Sequence, residues 1–356
     1  MQLPIRAKAA VLTRQKCALT VTEVLLPKQL QAGQVLVRIL FSGICGSQIG
    51  EINGVKGEDR HLPHLLGHEG TGEVLAIGPG VSHVRPDDRV VLHWRPGRGI
   101  QSAPPTYQWQ GKPLNAGFVT TFNEYAVVSE NRLTVIPKDI DPRTATLFGC
   151  AVTTGLGVIN NNARLKIGQS LVVFGAGGVG LNVIQGGSLA SAYPIVGIDL
   201  YPSKLELAQR FGATHTNDAG SEIDILTAVR KALGSKHADV VVDNTGDVEV
   251  IRLAMQITHP QGKTILVGVP RKATPVPLYP LPLFFGKVLT GSHGGESDPS
   301  QDIPRYLKLY RAGRLKLDEL LTQHFTLDQI NVAIERMQNG EITGRCLIHV
   351  AGATGP

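Results

Sequence analysis

Three short segments carry side chains with the chemistry of a metal site. Cys45 lies in Ser42-Gly43-Ile44-Cys45-Gly46-Ser47, His68 and Glu69 in Leu66-Gly67-His68-Glu69-Gly70, and Cys150 in Phe148-Gly149-Cys150-Ala151. Two thiolates and one imidazole suit zinc, and three protein ligands leave a fourth position for water or substrate. The ligands spread over roughly 100 residues, which fits a catalytic centre rather than a compact finger. Each residue alone has a plainer reading: a buried cysteine is often a small hydrophobe, and a His-Glu pair can be a surface turn. Cys17 and Cys346 lack such a setting and are expected to be buried, inert thiols.

A second constellation reads Gly175-Ala176-Gly177-Gly178-Val179-Gly180, a G-x-G-x-x-G turn. In a chain with 41 glycines the pattern alone is weak. Its context strengthens it, because the aliphatic run Leu171–Phe174 leads in and a helical pattern, Val179–Ala190, leads out. Gly175 then permits the tight turn, Gly177 the approach of a pyrophosphate, and Gly180 the close packing of helix on strand, with Gly178 and Val179 opening the helix. Asp199 ends the next strand about 20 residues on, where a carboxylate binds ribose hydroxyls and disfavours a 2′-phosphate. NAD is therefore expected over NADP. Lys204 either reaches the same ribose or is a solvated helix residue. The alternative for the whole unit is a Gly-rich turn in an α/β domain that binds no nucleotide.

These residues need two kinds of scaffold. Residues 1 to about 150 read as β-rich, with short runs at Ala9–Thr13, Val35–Phe41, Gly72–Ile77, Arg89–Leu92 and Asn123–Val128 punctuated by turn formers. From about 168, strands at Leu171–Phe174, Ile195–Asp199, Asp239–Val242 and Thr264–Val267 alternate with helices. Those helices are read at Val179–Ala190, Ser203–Phe211, Glu222–Leu233 and Val248–Ile257. Alternation of this kind predicts βαβ units and a parallel sheet. The tail carries helical patterns at Asp302–Ala312 and Leu327–Asn339 and a strand at Arg345–Val350, expected to fold back on the first domain. The expected division is 1–153 with 293–356 as the catalytic domain, and 154–292 as the nucleotide-binding domain.

Composition narrows the classes. The 356 residues are 42% hydrophobic and 18% charged, the balance of a globular protein with sizeable cores. The net charge of +6 is scattered, with no basic run, so nucleic-acid binding is not expected. No apolar run reaches the length of a membrane span, no signal peptide is apparent, and four cysteines do not make a disulfide framework. A cytoplasmic protein is expected.

Taken together, Ser42–Ser47, Gly67–Gly72, Phe148–Gly155, Gly175–Gly180, Val267–Val269 and the tail Leu315–Val350 resemble the zinc-containing medium-chain alcohol dehydrogenases over nearly the whole chain. The resemblance implies an α/β fold: an N-terminal β-rich, GroES-like catalytic domain completed by the C-terminal tail, with a doubly wound Rossmann domain inserted. It implies that Cys45, His68 and Cys150 bind catalytic zinc and that Glu69 sits close behind the metal. It also implies that Ser47 relays the alcohol proton, that Thr154 packs against nicotinamide, and that Val267 and Val269 line the cofactor. Arg345 matches an arginine that approaches either the metal surroundings or the cofactor phosphates. Gln48 stands where relatives carry an aspartate that orients the zinc-bound histidine, and Gly50 stands where many carry a relay histidine. The four clustered cysteines of a structural zinc have no counterpart in His93–Gly117, so one zinc per chain is expected.

That cysteine-free segment holds His93, Trp94, Arg95 and Arg98, candidates for contact with a polar substrate. Arginines suit carboxylate or phosphate, and aromatic faces suit sugar C–H surfaces. A polyol, sugar or aminocyclitol is thus the first expectation. The alternative is S-(hydroxymethyl)glutathione or a simple alcohol, because the tail and Gly291–Gly295 look most like the glutathione-dependent formaldehyde dehydrogenase branch. An ordinary surface loop would also explain the segment. A relative that keeps NAD binding without catalysis is the rival from another class. The apolar run Tyr279–Phe285 followed by Val288–Leu289 suggests a homodimer or homotetramer, or else a buried hinge.

Overall fold

The computed structural model describes residues 5–221 and 224–350. Two compact units form. One takes the chain to Cys150 with Asp298–Arg311 and the stretch from Leu317, the other Ala151–Ser297 with Ala312–Lys316. The division thus falls at Cys150/Ala151 and Ser297/Asp298, and Ala312–Lys316, expected in the catalytic domain, joins the second unit.

The first unit is built on two sheets. The larger orders its strands as Leu133–Val135, Arg89–His93, Glu69–Ile77, Gln34–Gly43, Arg345–His349 and Leu321–Thr326, with Tyr125–Ser129 also pairing Gln34–Gly43. The smaller runs His64–Leu65, Arg6–Leu12, Thr20–Leu25, Tyr107–Trp109 and Lys112–Leu114. Gln34–Gly43 shows why the unit coheres. Successive side chains of a strand point to opposite faces, so Val35, Val37 and Ile39 enter one core while Leu36 enters another. The tail strand Arg345–His349 adds to this same strand, pairing Leu347 with Gly43 and His349 with Phe41.

The second unit is a six-stranded parallel sheet in the order His215–Asp218, Ile195–Asp199, Leu171–Phe174, Ala238–Asp243, Thr258–Leu266, Val288–Gly291. Counted along the chain this is the 3-2-1-4-5-6 order of a doubly wound dinucleotide fold. Its central strands are continuous runs of Val, Ile and Leu because helices cover both faces. Most expected elements appear within a few residues of their reading. The helix read at Glu222–Leu233 is observed as Ile225–Leu233, while residues 222 and 223 lie outside the described set. Asp224 caps it with its carboxylate on the Thr227 N–H at 3.1 Å, and Gly234 ends it with φ +64°. Among the described residues no helix is long and apolar enough to cross a membrane, and the four cysteines are free.

Candidate metal centre and dinucleotide turn

The three candidate ligands meet in the first unit. One ligand atom each from Cys45, His68 and Cys150 lie within 4.8 Å of one another. Cys45 precedes the helix Gly46–Ile52 as its N-cap. His68 leads into the strand Glu69–Ile77, and Cys150 ends the 3-10 turn Leu147–Gly149. That turn packs tightly: a Cβ at Gly149 would stand 2.4 Å from the Leu92 carbonyl and 2.8 Å from Cα of Glu69. Glycine is what lets Cys150 come so near His68.

Gln48, one helical turn into Gly46–Ile52, orients the imidazole. With the amide turned so that its oxygen faces these donors, the orientation that satisfies both its ends, it accepts from Nδ1 of His68 at 3.1 Å and from the N–H groups of His68 and Gly67 at 3.0 and 2.9 Å. The proton is thereby fixed on Nδ1, leaving Nε2 as a lone-pair donor, the arrangement expected behind a metal-ligating histidine. Nε2 is buried and has no hydrogen-bond partner within the protein. An orphaned nitrogen aimed at two thiols is what a zinc site requires, so the donor set fits the metal.

The electrostatics run the same way. The hydrogen bond from Cys150 holds the Cys45 thiol well below its ordinary pKa against the opposing effect of burial, with Arg345 and His68 adding to it. The hydrogen bond to Cys45, together with burial, pushes Cys150 up. Burial pulls His68 down, but its contact with Cys45 outweighs this and the net shift is upward. The shifts favour the thiolate at Cys45 and the thiol at Cys150.

Glu69 and Arg345 lie behind the sulfurs. Both are buried, and Nη1 of Arg345 stands 3.2 Å from Oε1 of Glu69 while donating to the Ile44 carbonyl at 2.7 Å. A Cβ at Gly43 would stand 2.8 Å from the Glu69 carboxylate, so this position makes room for it. Of the two positions implied for Arg345, these contacts with Glu69 and Ile44 favour the one beside the candidate metal ligands.

The substrate candidates separate. His93 is fully buried: Nδ1 donates to the Arg95 carbonyl at 2.7 Å and Nε2 meets Oγ1 of Thr134 at 3.0 Å. Both ring nitrogens of His93 are engaged by its own loop and the neighbouring strand, which makes it a structural residue in this arrangement. Trp94 is half-buried with its ring 6.5 Å from that of His68, while Arg98 is exposed. The segment is held by polar contacts that motif reading missed. Glu130 accepts from the N–H groups of Ser82, His83 and Ile100. Arg132 donates to the Trp94 carbonyl and to Gln101. Cys346 is buried as expected, whereas Cys17 is only half-buried and accepts from Nε of Arg14 at 3.2 Å.

Burial drives the His93 pKa from 6.5 down to about 4. The folded state therefore prefers neutral imidazole, and its contribution, present above pH 6.5, is lost as pH falls through the interval to about 4. We expect about 3 kcal/mol of acid sensitivity from this residue. In His93→Gln, thermal unfolding should show a shallower decline between pH 6.5 and 4; an unchanged slope would refute the assignment.

In the second unit the glycine turn is shaped as its sequence implies. Gly175 has φ +86°, and a Cβ at Gly180 would lie 1.8 Å from the Gly175 carbonyl. Gly177 caps the helix Gly178–Leu189, and its Cβ position is open, with nothing within 4 Å. Asp199 accepts from the Ala176 N–H at 2.8 Å, tying the end of its strand to the turn, and Lys204 stands 3.9 Å from the same carboxylate. The cradle fits a dinucleotide. Val267 donates its N–H to the Asp243 carbonyl at 2.8 Å, and Val269 is exposed. Thr154 is buried in the helix Ala151–Gly157. Ser47, half-buried, opens the helix Gly46–Ile52 two residues after Cys45, and Gly50 stands in that same helix.

The chain is similar to known proteins over most of its length. Residues 31–138 match the family model for the alcohol dehydrogenase GroES-like domain, and residues 178–312 that for zinc-binding dehydrogenases. The chain is 32% identical over 372 residues to alcohol dehydrogenase class-3 of Cereibacter sphaeroides, covering 95% of this chain and 98% of that protein. It is 31% identical to S-(hydroxymethyl)glutathione dehydrogenase of Paracoccus denitrificans, covering 95% and 98%. The crystal structure of benzyl alcohol dehydrogenase from Acinetobacter calcoaceticus superposes with a TM-score of 0.87 at 26% identity, covering 97% and 99%. With its GroES-like and Rossmann architecture and this degree of likeness, the chain belongs to the zinc-containing medium-chain alcohol dehydrogenase family.

Proposed function

We propose that the protein is a zinc-dependent, NAD-linked alcohol dehydrogenase, with zinc held by Cys45, His68 and Cys150. The observation carrying this reading is the buried, unpartnered Nε2 of His68 beside two thiols. Zinc bound there would polarise an alcohol oxygen, and nicotinamide would accept the hydride. The chain's own residues do the rest. Gln48 holds the His68 tautomer, Glu69 and Arg345 balance charge behind the sulfurs, and Ser47 passes the alcohol proton outward. Thr154 packs against nicotinamide, and the N–H groups opening Gly178–Leu189 receive the pyrophosphate. Asp199 and Lys204 bind the adenosine ribose, the carboxylate favouring NAD, and Val267 and Val269 line the cofactor.

The names its relatives carry favour S-(hydroxymethyl)glutathione over the polyols suggested by the Trp- and Arg-bearing segment. One observation supports the polyol or aminocyclitol reading. A cavity of about 500 Å³ with His68 in its wall is also lined by Glu51, Asp59, His61 and Asn115, which suit hydroxyl and ammonium groups. The test is zinc analysis of purified protein together with NAD reduction over hydroxymethylglutathione, simple alcohols, polyols and aminocyclitols. About one zinc per chain and activity lost on chelation are expected. NAD binding without reduction of any substrate would favour the non-catalytic reading.

We further propose that the chain pairs through Val288–Gly291, the edge strand of the parallel sheet. The preceding segment leaves Phe284 81% and Phe285 66% exposed, apolar surface of a kind that marks interfaces. Phe284→Glu is expected to convert dimer to monomer in sedimentation at micromolar concentration. A wild-type monomer under those conditions would dispose of the idea.

A further inference from the structure

The cavity that has Gln48 and His68 in its wall contains a second set of ligating side chains. Glu51, Asp59 and His64 each bring one candidate ligand atom within 4.8 Å of the others. They stand outside the thiolate triad; the polyol reading uses Glu51 and Asp59 only as cavity lining for substrate groups and gives His64 no part. We propose that Glu51, Asp59 and His64 form a second divalent-cation site, with oxygen and imidazole ligands and a preference for a harder ion, such as Mn²⁺, than the thiolates select.

The ligands come from three places: Glu51 from the helix Gly46–Ile52, Asp59 from the loop after it, and His64 from the short strand His64–Leu65. Nδ1 of His64 donates to the Leu65 carbonyl at 2.9 Å. That bond commits Nε2 to the far side, where Asp59 Oδ2 stands at 2.7 Å and Glu51 Oε1 at 3.7 Å. A backbone carbonyl fixing one nitrogen while the other faces carboxylates is a common way to present a metal-binding histidine. A simple ion pair needs one carboxylate. The second, converging on the same nitrogen, is what a divalent cation would use, taking the place of a proton between all three groups.

The surroundings suit an ion. The side chains of His64 and Asp59 are 9% and 10% exposed, so the pair is shielded, while Glu51 at 37% leaves a way in and room for water ligands. Burial opposes the charge on Asp59, yet bonds from the His61 N–H and from His64 hold its carboxyl below the usual range and keep it anionic. Gln15 braces the ligand-bearing loop, donating to the Gly57 carbonyl at 2.9 Å and accepting from the Asp59 N–H at 3.3 Å. Oxygen and imidazole donors accept Mn²⁺, whereas soft thiolates favour zinc. The two sites therefore sort their metals by donor chemistry.

The experiment is a titration of the zinc-loaded protein with Mn²⁺, followed by the loss of the free-ion electron paramagnetic resonance signal. One saturable Mn²⁺ per chain is expected in the wild type. Glu51→Gln and Asp59→Asn should each weaken it by at least about tenfold, with the zinc content of the same samples unchanged. Glu51 is partly exposed, so Glu51→Gln keeps the test decisive even where Asp59→Asn disturbs the loop. The proposal is overturned by any of three results: no saturable binding up to millimolar Mn²⁺, binding that either folded variant leaves unchanged, or Mn²⁺ taken up only as zinc leaves.

Discussion

Cys150→Ala is expected to lose bound zinc and to lower kcat/KM by about a thousandfold or more. The magnitude follows from what a Lewis acid contributes to transition-state charge, several kcal/mol at about 1.4 kcal/mol per tenfold. The fold should survive. Cys150 is buried, but removing one sulfur from a turn already packed through Gly149 opens only a small cavity, costing about 1 kcal/mol. Cys45 and His68 then remain as a two-ligand remnant that cannot hold zinc tightly at neutral pH. Plasma mass spectrometry and steady-state NAD reduction on the same preparation give the answer. Full activity in a variant shown to be metal-free would sink the assignment of the triad.

Arg345→Met is expected to destabilise the protein by about 3–5 kcal/mol, because it leaves the Glu69 carboxylate buried without its guanidinium. For a chain of this size that corresponds to a fall in Tm of roughly 4–7 °C. The loss should not come from packing, since methionine fills much of the same volume. Adding Glu69→Gln in the same chain is therefore expected to restore a large part of the stability, a coupling that a double-mutant cycle measures directly. The melting temperatures of the two single variants and the double variant decide the matter. Additive losses would mean that the 3.2 Å pair is a contact of no energetic weight.

The site was partly legible from sequence because its chemistry is concentrated in local patterns. Cys45, His68 and Cys150 each sit in glycine-flanked segments, and the dinucleotide turn announces itself through strand, glycines and helix in immediate succession. Gly175 and Gly180 were readable because a backbone of positive φ and a carbonyl 1.8 Å from a would-be Cβ admit nothing else. The second unit was the easier to read, since a buried parallel strand such as Leu171–Phe174 is a continuous aliphatic run. Short strands such as Tyr107–Trp109 and Lys112–Leu114 have too little periodicity to be seen, and the segment holding them reads as a substrate-contacting stretch or a surface loop.

His93 and Arg345 show the limit of that reading. Proximity in sequence to Trp94 suggested a substrate role for His93, but strand pairing of Glu69 with His93 turns the imidazole inward onto Thr134 and the Arg95 carbonyl. Arg345 lies 300 residues from Cys45, and only the antiparallel register that sets Leu347 against Gly43 brings it beside Ile44 and Glu69. The Glu51, Asp59 and His64 group escaped notice for the same reason, its three ligands coming from a helix, a loop and a strand with no motif spacing. The sequence by itself determined the ligand types, the glycine turn and the alternation of strand and helix, because each depends on residues close along the chain. The tertiary structure decided which buried charges meet and which histidine stands beside two cysteines, because those depend on sheet register and on close approach between segments far apart in sequence.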